Sequence, residues 1–314
     1  MARYFTVRFF GMILVLLAVS FLTFMLMYNT PGGPFDETNQ PLSAEAKANI
    51  MKKYGLDQPF YVQWAKYVWN AVQGDFGYSY SYPNEKVLPL LLRYWKDSLV
   101  LGVLSVVWSF PVGAIMGVIA ALKRNTWIDS TVTVLALITV TVPQIALIFF
   151  GQMIFVVWLK WLPFGNGRSI TEQPLIFLIL PVFLFGLGTV GGLARYTRAG
   201  MLEVMGQDYI RTARAKGLRQ ISVIFKHAMR NMMIPLITLF APTLSNAITG
   251  SIFVEFAFAI PGIGRFFLGS IFSRDYPMIM ATTLIGAVIL TVTFLISDIS
   301  YTLVDPRIRL GGKK

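Results

Sequence analysis

The residues with the most chemistry to offer lie in one basic stretch, Arg195 to Arg230, which holds eight Lys/Arg and two acids, Glu203 and Asp208. Its middle reads Asp208-Tyr209-Ile210-Arg211-Thr212-Ala213-Arg214-Ala215-Lys216-Gly217-Leu218. Asp208 is placed to N-cap a helix, because a carboxylate accepts the orphan N–H groups of a first turn. Gly217 is placed to end it, because the residue after a helix commonly takes positive φ. About two turns of helix fit between them. Thr212, Ala213 and Ala215 are small enough to let another protein's backbone approach, and Arg211, Arg214 and Lys216 suit an acidic partner. This is the chemistry of contact rather than of bond-making. Basic cytoplasmic loops are the rule in membrane proteins, which accounts for the charge but not for a capped helix with a small-residue face.

Bond-making chemistry finds no footing. No Gly-x-x-x-x-Gly-Lys-Ser/Thr run is present, so no phosphate-cradling loop is expected here; if ATP drives this chain, the ATP and its Mg ion sit on another subunit. With no Cys and a single His, His227, there is no thiol nucleophile and no Cys- or His-rich metal site. His227 lies in the basic stretch, too far from the membrane interior for a Ser–His dyad there. Gly74-Asp75-Phe76-Gly77 lacks the accompanying kinase motifs and reads as a turn. The sequence therefore gives no catalytic, cofactor or metal residue. An ion-coupled secondary transporter is the alternative from another class, and it would call for ionisable groups or paired broken helices in mid-membrane. Such a carrier works alone, so co-purification of partner subunits would argue against it.

The elements that must position the basic stretch are membrane helices. Over 314 residues, 55% are hydrophobic and 13% charged, with a mean hydropathy of +0.63. That charged share is about half the usual value for soluble domains. Apolar runs predict an all-α, polytopic chain with six spans: Phe9–Tyr28, Ser98–Leu122, Ser130–Leu159, Gln173–Ala194, Asn231–Val254 and Tyr276–Ser297. Amphipathic surface helices are expected at Ser43–Tyr54 and Pro59–Val72, and a short outer helix at Arg265–Ser273. With both termini inside, cytoplasmic segments hold sixteen Lys/Arg against four acids, and outer segments eleven against ten. The net charge of +12 is thus a matter of membrane topology and not of nucleic-acid binding. The chain divides into 1–97 (first span and outer region), 98–306 (membrane core, with the cytoplasmic basic loop 195–230) and a cytoplasmic tail, 307–314.

Several polar or helix-bending residues fall at membrane depth. Pro143 removes a backbone hydrogen bond and kinks the third span. With Gln144, Gln152 and Asn246, it is a candidate for a translocation path or for a packed kink. Pro181 and glycines 186, 188, 191 and 192 suit close helix packing. Asp298 is costly near an inner span end and calls for a partner.

The run Tyr209 to Leu218, followed by His227, Arg230-Asn231 and Pro235, resembles the coupling loop of bacterial ABC-importer permeases. It is most similar to the first permease subunit of the oligopeptide and dipeptide importers. Arg211-Thr212-Ala213 stands where the wider superfamily has Glu-Ala-Ala, and Gly217 stands at the matching glycine. Pro31-Gly32-Gly33-Pro34-Phe35, Gly74-Asp75-Phe76-Gly77, Pro261-Gly262-Ile263-Gly264-Arg265 and Asp305-Pro306-Arg307-Ile308-Arg309 resemble the same family. The resemblance implies a type I permease fold in the bacterial inner membrane and transport of peptides, with nickel or glutathione as alternatives. It implies four kinds of contact: a homologous second permease, two ABC ATPase subunits, an extracytoplasmic peptide-binding protein and the bilayer. Residues 208–218 would then form the ATPase contact. Lys52, Lys53 and Arg265, on the outer side, are candidates for binding-protein contact.

Overall fold

The computed structural model describes residues 2–30, 55, 57–82 and 84–304. The expected helix at 43–54, Lys52, Lys53, the Pro31–Phe35 motif and the 305–314 tail lie outside the described residues, as does the side chain of Asp298. Among the described residues the architecture is helical: α1 (Ala2–Asn29), α2 (Phe60–Val72), α3 (Val87–Leu122), α4 (Trp127–Thr141), α5 (Gln144–Gln152), α6 (Ile176–Met205), α7 (Asp208–Ala215), α8 (Met229–Ile248), α9 (Ile252–Ala257), α10 (Ile263–Phe272) and α11 (Tyr276–Val304). π-helical turns at Met153–Trp158 and Val223–Ala228 extend α5 and lead into α8.

Four of these helices are long and apolar enough to cross a membrane: α1, α3, α6 and α11. The expected third span is sharply broken. Val142 is extended, Pro143 precedes α5, and α4 and α5 meet at 105°. Pro143 has no N–H to continue the ladder and biases the preceding residue towards extended backbone. The pair therefore makes one bent span or a re-entrant loop. The expected fifth span corresponds to α8, 20 residues long and so of spanning length. It stops at Ile248 rather than Val254, because the chain reverses at Thr249–Ser251 and Ser251 Oγ accepts from Val254 N–H (3.3 Å) to begin α9.

The central packing is α3 against α6. Gly113 and Gly117, one turn apart on α3, lie against the α6 backbone; an added Cβ would come within 2.8 Å of Val190 O and 2.5 Å of Ala194 O. Small residues four apart allow this approach and the dispersion contacts that go with it. On α6, Gly186 backs onto the Trp108 ring and Gly191 onto Ala136 and Thr139, whereas a Cβ on Gly188 would meet Thr139 O at an ordinary 3.9 Å and one on Gly192 nothing within 4 Å. A bidentate ion pair fastens α4 to α6: Arg198 Nη2 donates to Asp129 Oδ2 at 2.8 Å, and Nε donates to Oδ1. Asn125 N–H donates to the same carboxylate at 3.0 Å.

Candidate functional site

The basic stretch is more structured than a loop. α6 continues past the apolar run to Met205, and α7 then begins after extended Gln207. Gln207, not Asp208, is the N-cap residue, and no side chain caps the helix. Asp208 instead sits in the first turn, where an acid complements the positive helix end, and pairs with exposed Arg211 at 3.4 Å. Thr212 Oγ1 donates to Asp208 O (3.0 Å), and Tyr209 Oη accepts from Asn231 Nδ2 (2.7 Å), joining α7 to α8.

The C-terminus closes as the sequence predicts. Gly217 has φ +73°, its N–H donates to Arg214 O (2.9 Å), and Leu218 N–H donates to Ala213 O (3.4 Å). These two bonds satisfy carbonyls that would otherwise be orphaned at the helix end, in a Schellman arrangement. A Cβ on Gly217 would meet nothing within 4 Å, so conformation alone, within this chain, favours glycine.

One part of the sequence reading is corrected. Ala213 does not belong to a presented face: it is buried, and with Ile210 it packs on Met201, Val223, Ala228 and Met232. Residues 210 and 213 are three apart and so share one side of a helix. Two turns of helix lying on a protein surface must turn one side inward, and the apolar pair goes there. The outward side consists of Arg211, Thr212, Arg214, Ala215, Lys216, Gly217 and Leu218, all exposed, with Asp208 and Tyr209 at its start. Ile221 and Phe225 are 70% and 63% exposed beside it, an apolar flank that charge-based reading passed over.

The membrane-depth candidates are not gathered into one cluster. Pro143 and Gln144 begin α5, with Gln144 half-buried. Gln152 ends that helix, is buried, and donates Nε2–H to Ala257 O at 2.9 Å, occupying a carbonyl at the end of α9. Asn246 is exposed on α8. Arg265, expected on the outer side, is exposed in the first turn of α10, and its Nη1 donates to Ala259 O (2.8 Å). It borders a cleft lined by Ser81, Tyr82, Tyr94, Phe266 and Asp275.

A bundle of apolar helices carrying a short basic helix anchored through its own core is the architecture of a multi-pass membrane protein. Residues 113–310 match the family described as binding-protein-dependent transport system inner membrane components, and residues 1–102 match the corresponding N-terminal family. The chain belongs to that family and is a multi-pass inner-membrane permease. It is 40% identical over 313 residues to the dipeptide transport system permease protein DppB of Bacillus subtilis, with all of both chains covered. It is 39% identical over 314 residues to the oligopeptide transport system permease protein AppB of the same organism, covering 98% of this chain and 99% of that one. A solved inward-facing structure of the MetNI methionine ABC transporter shares the fold, with TM-score 0.57 and 20% identity over 69% of this chain and 97% of that chain.

Proposed function

We propose that the chain is the permease subunit of an ATP-driven ABC importer that moves oligopeptides or dipeptides into the cytoplasm, and that α7 is its contact with separate ATPase subunits. The observation that carries the coupling role is the anchorage of α7. Its inward side is embedded in residues of α6 and α8, while its outward side is basic and exposed, flanked by Leu218, Ile221 and Phe225. A push on α7 therefore acts on two long helices at once, and through Arg198–Asp129 on α4. Packed helices respond to such a push by rigid-body shifts between discrete packings, which is what alternating access requires. The substrate class rests on full-length likeness to dipeptide and oligopeptide permeases.

The working complex in this reading contains a homologous second permease, two ATPases that bind ATP and Mg, and an extracytoplasmic peptide-binding protein. Both termini face the cytoplasm. The test is uptake of a labelled peptide by proteoliposomes holding the purified complex. Uptake should require internal ATP and external loaded binding protein. Uptake driven by an ion gradient with this chain alone would refute the proposal.

A further inference from the structure

The described residues contain a buried carboxylate that the coupling surface does not use. Glu255, on α9, has no solvent exposure and no cationic side chain bonded to it. Burying a carboxylate is costly unless hydrogen bonds replace its water. Here donors from three segments do so. Ser98 Oγ of α3 donates to Oε1 at 2.7 Å, Ser251 N–H donates to Oε1 at 3.2 Å, and Arg265 N–H donates to Oε2 at 3.1 Å. Ser98 Oγ in turn accepts from Ile263 N–H at 2.8 Å. Two orphan N–H groups in the first turn of α10 are thereby fastened to α9 and α3. The flanking glycines leave room for the carboxylate: a Cβ on Gly262 would lie 2.3 Å from Oε2, and one on Gly250, at φ +90°, 2.6 Å from Oε1. The Pro261-Gly262-Ile263-Gly264-Arg265 run is thus shaped around a side chain from the preceding helix.

α10 is what this anchor holds, and α10 meets the outside. It presents Arg265 and Phe272, both exposed, and its Phe266 ring packs on Tyr94 (4.5 Å between centroids) in the outer cleft. Glu255 is too deep to touch a partner itself. We propose that Glu255 is a positioning residue for transport: it fixes the pose of α10 and so of the outer surface on which the loaded binding protein acts, which rests on the importer reading above.

The test uses the full complex. Glu255→Gln keeps the shape but turns one acceptor into a donor facing donors. It should raise the concentration of loaded binding protein that half-stimulates ATP hydrolysis by roughly tenfold, the scale of one hydrogen bond to a charged group. Basal ATPase activity and subunit stoichiometry should stay as in the wild type. Gly262→Ala, which drives a methyl into Oε2, should do the same. The shorter acid in Glu255→Asp/Gly262→Ala should recover part of the loss, so that the two changes are not additive. Amide exchange at Ile263 and Arg265 should rise in Glu255→Gln. Unchanged half-stimulation together with unchanged exchange overturns the proposal. A wild-type complex that no loaded binding protein stimulates would instead refute the importer reading, and the exchange result alone would then decide whether Glu255 holds α10.

Discussion

Substitutions at Gly217 separate two reasons for a glycine in the coupling segment. The residue stands at φ +73° with no atom within 4 Å of where a Cβ would be. Inside this chain the cost of a side chain is therefore backbone strain alone, about 1–2 kcal/mol for an ordinary L residue in the left-handed region, and least for Asn. A β-branched residue is a true outlier there. That range is roughly a 5- to 30-fold change in the population of the correctly closed helix. If closure of α7 controls ATPase contact, Gly217→Asn should be the mildest, Gly217→Ala intermediate and Gly217→Val the most damaging. If crowding in a partner's groove dominates, Ala should be mildest, with Asn and Val alike because they are similar in size. Either way membrane levels should hold, since Gly217 is exposed and outside every long apolar helix. Gln220→Ala, an exposed position just beyond the helix, is the mild control. The assay is ATP hydrolysis stimulated by loaded binding protein in the reconstituted complex, with subunit stoichiometry measured alongside. Full stimulation and full ATPase retention in Gly217→Val would refute the reasoning.

Other outcomes follow from burial. Ala213→Glu places a carboxylate among Met201, Ile210 and Val223, at a cost of several kcal/mol, so the folded chain should be depleted in the membrane as well as uncoupled; normal levels would count against the inward placement of Ala213. Arg198→Ala unpairs Asp129 but also opens its carboxylate to water, so it should destabilise by about 1 kcal/mol, whereas Arg198→Lys, which lacks the fork, should lie between it and wild type in thermal unfolding. Glu255 lies in the segment between α8 and α11, and burial raises its carboxyl to about 7 against the pull of its hydrogen bonds. A raised folded-state pKa means the native state binds more protons. The contribution is fully present below the unfolded value and is lost as pH rises through 7. The melting temperature should therefore fall between pH 5 and 8 by an amount that Glu255→Gln removes; an equal fall in the variant would assign it to other groups.

The parts legible in the sequence are those fixed by local rules. Long uncharged runs give α1, α3, α6 and α11 because a bilayer demands internally bonded apolar helices. Gly217 was readable because one backbone conformation selects it. The parts that were not readable depend on partners far along the chain. Gln152 reads as a polar residue at membrane depth until Ala257, 105 residues later, supplies its acceptor. Asp129 and Arg198 are 69 residues apart, and Glu255 and Ser98 157 apart. One misreading had a local signal: Ile210 and Ala213 recur at helical spacing, which turns Ala213 inward; Gly113 with Gly117, which the sequence reading does not single out, carries the small-residue spacing of a close helix contact. Charge drew attention to the basic positions of α7 and away from the apolar pair that anchors it.

The outward face of α7 as the ATPase contact is tested most directly by crosslinking in this Cys-free chain. Single cysteines replace Thr212, which is exposed, and Ile210, which has no exposure. In inside-out membrane vesicles holding the assembled transporter, a short bifunctional thiol reagent should join position 212 to an ATPase subunit, with a yield that changes on adding ATP. Position 210 should give no product. Crosslinking to an ATPase from 210 but not 212 would contradict the account, as would labelling of 212 by an impermeant reagent added to intact spheroplasts.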